Sequence, residues 1–362
     1  MKILIGAGGT GGHIYPALAL ARYARAKDSS NEILFVGSSN GLESKIVPSS
    51  GFSLEIIPAR GFQRNFKQFG LVIRDLFSGL RQAARIINEY RPNVVLGTGG
   101  YVAAPLVISA LLKRRPVVIH EQNALPGMVN RRLAPFVRRV CISFSETGKR
   151  MPRSSKIVFT GNPRASEVSA LSREEGCRYF GFDTRKKNIL IYGGSRGALK
   201  LNQVVTAYLK AKYLPDSVNL IYVTGDIYYE EVSGELGPLP ERIRLFPYLK
   251  EMPEALAAAD LAVTRSGATT LAEITALGIP ALLIPSPNVV NNHQYYNARL
   301  LSDAGAAVLI DEKDFDDKRL QQEIDTLIGA PALLERMSMN SRRMGVTDAA
   351  ERLYKCILEV AS

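Results

Sequence analysis

The sequence predicts an α/β chain in two parts, each a parallel sheet wound on both faces by helices. Three observations carry that expectation. Short β-branched runs alternate with helix-length segments through the 362 residues, the pattern of parallel strands joined by helical crossovers. The runs fall into two series with a junction near Thr160–Pro163. Three of them end in glycine turns that open a helix, and open α/β sheets bind ligands beyond the C-terminal ends of their strands. A chain of this length can bury two separate cores.

The first strand is the apolar run Ile3-Leu4-Ile5, followed by five glycines among residues 6 to 12. Pro16 marks the expected first helical turn, and Ala17, Leu18, Leu20, Ala21 and Ala24 form its packing side. Strand, glycine turn and helix together aim unpaired amides and the positive end of a helix dipole at one spot, which suits an anion. The alternative is a tight turn that needs glycine for its backbone angles alone. The spacing is not the dinucleotide motif, with its acidic residue about 20 positions on, which argues against a nicotinamide. His13, one of three histidines, stands at the helix entrance, where an imidazole can meet a substrate hydroxyl.

Further strands are expected at 32–37, 53–58, 93–100, 116–123, 138–143 and 156–163. A second series follows at 188–195, 218–225, 243–249, 261–267, 280–285 and 306–311. The expected domains are 1–163 and 164–345, two Rossmann-like halves facing each other across a cleft. An amphipathic C-terminal helix within 346–362 is expected to pack back on the first half.

Charge divides the chain unevenly. Residues 1–163 hold 23 Lys and Arg against 8 Asp and Glu, whereas residues 164–362 hold 23 against 26. So basic a first half seeks an anionic partner. Without a helix-turn-helix, a finger or an aromatic-basic platform, a membrane surface or a phosphorylated lipid fits better than nucleic acid, which is not expected as a partner. Within residues 60–85, Phe66, Phe69, Ile73, Phe77 and Leu80 recur at helical steps, ringed by Arg60, Arg64, Lys67, Arg74, Arg81 and Arg85. That pattern reads either as a core-facing helix with a basic rim or as an interfacial membrane contact. Lys113-Arg114-Arg115 is a second basic cluster. No run reaches the roughly 18 apolar residues of a spanning helix, and the N-terminus reads as a strand, not a leader. Cys141, Cys177 and Cys356 form no pairing pattern and read as reduced packing residues of a cytosolic protein.

The stretches with chemistry lie at strand ends. Gly97-Thr98-Gly99-Gly100-Tyr101 is the second glycine turn, and Gly193-Gly194-Ser195-Arg196-Gly197-Ala198 is the third. Ser195 offers a hydroxyl to an anion or an N-cap to its helix. His120-Glu121-Gln122-Asn123 leaves another strand. Further on, Thr264-Arg265-Ser266-Gly267-Ala268-Thr269-Thr270-Leu271-Ala272-Glu273 precedes Asn291-Asn292-His293-Gln294-Tyr295-Tyr296-Asn297. Thr270 and Glu273 have capping-box spacing; the rival role for Glu273 is to accept hydrogen bonds from a ribose. The amides of the second stretch suit sugar hydroxyls.

The motifs GGTGGHIYPALA, GTGGYVAAP, HEQNALPG, TGNPRASE, GGSRGA, RSGATTLAE and HQYYNA, in order from residue 8 to 298, closely resemble those of the MurG family. These N-acetylglucosaminyltransferases of glycosyltransferase family 28 make lipid II for peptidoglycan. The resemblance implies a GT-B fold and an inverting, metal-independent transfer from UDP-GlcNAc to lipid I, without a cofactor. It places UDP on the second domain and lipid I at the first domain's glycine loops, where Gly9, Gly99, Gly100 and Tyr101 would meet the acceptor diphosphate. Thr10, Gly11, Gly12 and Asn123 would touch the donor. Ser195 would bind its diphosphate, and Leu249 its uracil through the backbone. Gly267, Ala268, Thr269, Thr270, Leu271 and Ala272 would hold phosphate and ribose, Glu273 the ribose hydroxyls, and Gln294 those of GlcNAc. Arg164 is the counterpart of a uracil-side arginine, although Asn162-Pro163-Arg164-Ala165 departs from the family's Asn-Pro-Val-Arg. Arg196 stands where many relatives have Gln.

In the implied reaction the C4 hydroxyl of MurNAc attacks C1 of GlcNAc and UDP leaves. Glycine-loop amides and a helix N-terminus can take the developing charge without a metal. The hydroxyl needs a base, His13 or Glu121. Asp314-Phe315-Asp316-Asp317 resembles a metal motif but reads as a helix cap on a solvated turn. The expected place of action is the cytoplasmic face of the plasma membrane, beside anionic lipid and proteins of cell-wall synthesis and division. Rival classes are a UDP-GlcNAc 2-epimerase, a sugar transferase to diacylglycerol, and a nucleotide-sensing membrane adaptor without turnover.

Overall fold

The computed structural model describes residues 1–59, 69–152, 156–194 and 197–361, and of Phe69 and residues 71–73 the backbone alone. The chain divides into two units, Met1–Ser166 with Asp348–Ser362, and Glu167–Thr347.

The first unit holds a seven-stranded sheet of β1 (Lys2–Gly6), β2 (Glu32–Gly37), β3 (Ser53–Ile56), β4 (Val94–Gly97), β5 (Val117–Glu121), β6 (Arg139–Ile142) and β7 (Ile157–Phe159). Every pairing is parallel, and the spatial order is β3-β2-β1-β4-β5-β6-β7. The order reverses between β1 and β4, which lie in register with Gly6 beside Gly97. That reversal is the switch point of a doubly wound sheet, and it sets the first two glycine turns side by side.

Strand alternation divides the core. Ile3 and Ile5 face one layer with Leu18, Leu20 and Phe35, while Leu4 faces the other with Ile87, Leu106 and Ile119. The first layer is completed from the far end of the chain. Helix Ala349–Ala361 buries Leu353 and Ile357 there, each contributing about 1.5–3 kcal/mol by burial. Asn31 Nδ2 donates to the Tyr354 hydroxyl at 2.9 Å, and the Cys141 and Cys356 sulfurs lie 3.5 Å apart.

The second unit repeats the plan with β8 (Lys187–Tyr192), β9 (Val218–Val223), β10 (Ile243–Phe246), β11 (Leu261–Thr264), β12 (Ala281–Leu283) and β13 (Ala307–Leu309), ordered β10-β9-β8-β11-β12-β13 and all parallel. Its switch point sets Tyr192 beside Thr264, so the third glycine turn adjoins the loop after β11. Ile189, Ile191, Leu201, Tyr222, Val263, Leu282 and Phe315 fill its core.

One helix start differs from expectation. The first helix begins at Gly11, with Thr10 as its N-cap, and Pro16 lies inside it. Proline there removes the amide that would bond the Gly12 carbonyl, and the residue is buried against the core. The basic segment forms helix Phe69–Tyr90, but residues 60–68, including Phe66, lie outside the described residues. Among the described residues no helix is long and apolar enough to cross a membrane.

Candidate active site

In the first unit the two adjoining glycine turns are laced together by Thr98. Its amide donates to the Gly6 carbonyl at 3.0 Å, and its hydroxyl donates to the His13 carbonyl at 3.0 Å. His13 stands in the first turn of its helix with Nδ1 3.2 Å from the Thr10 hydroxyl. Its ring lies against the second turn. A Cβ on Gly99 would stand 3.1 Å from Cδ2 and 3.2 Å from Nε2, and one on Gly100 3.2 Å from Nδ1. Both glycines hold φ in the left-handed region, at 95° and 79°, so any side chain there would be strained as well as obstructed. The structure thus brings Thr10, His13, Gly99, Gly100 and Tyr101 together.

Gly9 joins this group. Its amide donates to Glu43 Oε2 at 3.0 Å. The Gly9 amide therefore points toward the buried carboxylate and is already bonded there. Glu43 is fully buried, and its Oε1 accepts the Ser38 amide at 2.9 Å and the Ser38 hydroxyl at 2.7 Å. Sequence reasoning passed over it because an acid before a short helix looks like a solvated start. The available signal was its setting among Gly37, Gly41 and, across the sheet, Gly8, whose missing side chains leave the room it occupies.

Glu121, the other candidate base, is heavily engaged by its neighbours. It is buried, with Oε1 accepting the Asn123 amide at 3.0 Å and Oε2 accepting the Gly127 amide and Asn130 Nδ2, each at 2.9 Å. Both oxygens close the 121–130 turn, an arrangement that favours His13 over Glu121 as the candidate base. Asn123 is held by the same carboxylate, Nδ2 to Oε1 at 3.3 Å. His120 is fully buried and donates from Nε2 to the Gly161 carbonyl at 2.9 Å, while Gln122 Nε2 donates to its Nδ1 at 3.1 Å and to the Thr98 carbonyl at 2.8 Å. Burial drives its pKa down to about 4 despite the Gly161 bond, with a smaller push in the same direction from His13.

Arg164 is half-buried, its guanidinium carbon 5.8 Å from the centroid of the Tyr15 ring. On helix Phe69–Tyr90, Phe77 is 64% exposed. Leu80 is instead half-buried, its carbonyl accepting the Ser109 hydroxyl at 3.0 Å. The side chains of Phe69 and Ile73 lie outside the described residues. Leu112, beside the Lys113–Arg115 cluster, is 77% exposed.

In the second unit the third glycine turn leads into helix Leu199–Lys210, whose N-cap Ala198 offers no side-chain cap; Ser195 and Arg196 lie outside the described residues. Next to it, helix Ala268–Leu277 begins after Gly267, again with no side-chain cap. The buried Thr269 hydroxyl has no hydrogen-bond partner among the described residues. Uncapped amides with an unanswered hydroxyl suit a phosphate. Glu273 is buried as the sixth residue of that helix. A capping box needs it at the third, so that alternative fails.

Ser266 ties the second motif to the first: its hydroxyl donates to the Gln294 carbonyl at 2.8 Å, and Asn297 Nδ2 donates to its carbonyl at 3.1 Å. The Gln294 side-chain oxygen accepts the Ser286 amide at 2.9 Å. Thr270, Leu271 and Ala272 continue the helix, the last two buried, and Leu249 is buried in the turn after β10. Arg265, not singled out in the sequence, is fixed to Glu312 at 2.7 Å and to the Ile284 carbonyl at 3.0 Å. Asp316 caps the helix Asp317–Gly329 by accepting the Arg319 amide at 2.7 Å. Among the described residues no group of three or more His, Cys, Asp or Glu is placed to hold a metal ion.

The chain is similar to known proteins over both units. Residues 3–142 match the glycosyltransferase family 28 N-terminal domain, and residues 188–353 match its C-terminal domain. The UDP-N-acetylglucosamine--N-acetylmuramyl-(pentapeptide) pyrophosphoryl-undecaprenol N-acetylglucosamine transferase of Halalkalibacterium halodurans is 45% identical, with all of both chains covered. The protein of that name from Acetivibrio thermocellus is 43% identical over 99% of this chain and 98% of its own. Among solved structures, MurG of Acinetobacter baumannii superposes with a TM-score of 0.78 at 28% identity, covering 99% of each chain. The two parallel-sheet units are those of the GT-B fold, and the chain belongs to glycosyltransferase family 28 and, within it, to the MurG family.

Proposed function

We propose that this protein transfers GlcNAc from UDP-GlcNAc to the C4 hydroxyl of MurNAc in undecaprenyl-diphosphate-MurNAc-pentapeptide, giving lipid II with inversion at C1. Full-length kinship with enzymes of that name supports the reaction class. The observation that carries the mechanism is the His13 imidazole lodged against Gly99 and Gly100 at the mouth of two glycine turns. His13 takes the proton from the acceptor hydroxyl as the O4–C1 bond forms and the bond from C1 to the UDP oxygen breaks. In the second unit the uncapped start of helix Ala268–Leu277 and the Thr269 hydroxyl receive the charge that grows on UDP. Glu273 binds the ribose, and Gln294 the sugar. The first unit binds the lipid diphosphate through Gly99, Gly100 and Tyr101, and Phe77 and Leu112 with their basic neighbours rest on the anionic cytoplasmic leaflet. Proteins of cell-wall synthesis and division are the natural company of such an enzyme.

One assay separates the rivals. UDP release from UDP-GlcNAc is measured with lipid I, with diacylglycerol and with no acceptor, each with and without EDTA. The proposal expects release with lipid I alone, undiminished by the chelator. Release with diacylglycerol, isomerisation of the donor without an acceptor, or loss on chelation restored by Mg²⁺ would each overturn part of it.

A further inference from the structure

The structure assigns Glu43 as a positioning residue for the acceptor side of the transfer, an inference that rests on the function proposed above. A glycine takes positive or negative φ with nearly equal ease, so a loop of glycines does not by sequence alone choose one shape. Gly9 holds φ at 88°, and the bond from its amide to Glu43 Oε2 is what selects that conformation.

The same carboxylate reaches the second loop. The Ser38 hydroxyl donates its single proton to Glu43 Oε1 at 2.7 Å. Its oxygen is left to accept from the Tyr101 hydroxyl, 3.4 Å away. Tyr101 in turn lies over Gly9, where an added Cβ would stand 2.9 Å from the ring. A Cβ on Gly100 would stand 2.6 Å from the Gly8 carbonyl and 3.2 Å from His13 Nδ1. Thus one carboxylate grips the first loop through Gly9 and the second through Ser38 and Tyr101, and His13 sits where the two loops meet. It touches no substrate; it sets the distance between the base and the turn that receives the acceptor.

The donors around Glu43 demand acceptors on both oxygens. Glu43→Gln keeps the shape but replaces one oxygen with an NH₂ group, which must then face either the Gly9 amide or Ser38. An unpaired buried donor of this kind costs enough to move the loop. Kinetics are measured with lipid I and UDP-GlcNAc varied separately, alongside UDP binding by calorimetry and the melting temperature. The expected result for Glu43→Gln is kcat/KM for lipid I lowered roughly tenfold to a hundredfold, with the KM for UDP-GlcNAc and the affinity for UDP unchanged. A merely structural carboxylate would instead lower the melting temperature and the acceptor and donor constants together, and that result overturns the assignment, as would kinetics equal to wild type.

Should Glu43→Gln fail to fold, Ser38→Ala decides. It removes the hydroxyl that joins Glu43 Oε1 to Tyr101 and leaves the bonds from the Gly9 and Ser38 amides to the carboxylate in place; it must raise the KM for lipid I several-fold with the KM for UDP-GlcNAc unchanged, and wild-type behaviour overturns the proposal. If the unaltered protein transfers nothing to lipid I, the functional reading fails, an outcome distinct from a normal Glu43→Gln enzyme.

Discussion

At Glu273 the choice between a structural carboxylate and a ligand-binding one turns on position in the helix. It is the sixth residue of its helix, three beyond the position from which a glutamate closes a capping box, so removing its charge takes no cap from the helix start. Glu273→Gln should therefore raise the KM for UDP-GlcNAc roughly tenfold or more, the range for a hydrogen bond to a charged group, and leave the melting temperature within about 2 °C. Lost stability with normal kinetics would return the residue to a structural role. His120 gives the opposite kind of prediction. Its pKa falls to about 4 in the fold against about 6.5 for an unfolded chain. The unfolded state then binds more protons between those values. The contribution of His120 to stability is full above pH 6.5, declines as pH falls, and is lost by the time it passes 4, for about 3 kcal/mol in all. The His120 imidazole resonances should stay those of the neutral ring until the pH nears 4, as the first unit begins to unfold. A midpoint near 6.5 with the fold intact would refute this.

Among the elements, helix Phe69–Tyr90 carries a clear exposed feature. Phe77 and Leu112 are well exposed, so replacing them costs little in the core. Phe77→Ser with Leu112→Ser should weaken binding to anionic vesicles and slow transfer to full-length lipid I. A short-chain soluble acceptor should be used almost as before. Added salt should weaken vesicle binding of the unaltered protein, because the basic rim acts through a screened field. Equal loss with both acceptors would move the membrane contact elsewhere. The strands were legible because β-branched runs between glycine turns have few other readings. The first helix was not, since Pro16 looked like its start while the true start is a glycine pair. Nor was the direction of the Gly9 amide, which is set by a dihedral angle and by Glu43, a residue distant in sequence. The surroundings of Glu121 were hidden in the same way: its residue type fits a base, and only the fold reveals that Asn123, Gly127 and Asn130 donate to both its oxygens.

For the whole molecule, the two series of strands and the ordered motifs sufficed to anticipate a pair of parallel-sheet units, because each unit repeats one simple winding. The switch points, which place β1 beside β4 and β8 beside β11, explain why motifs far apart in the chain adjoin within each unit. The first unit is also discontinuous: its core is completed by helix Ala349–Ala361, the last described element of the chain. On a ribosome, where domains generally fold in the order they are made, this order is inverted. The second unit can close while the sheet that emerged first still lacks one of its covering helices. The first unit must wait, with apolar surface bare, until helix Ala349–Ala361 has been made. A chain cut before that helix would then carry a sound second unit and an unfinished first one, the kind of product that chaperones hold and proteases remove.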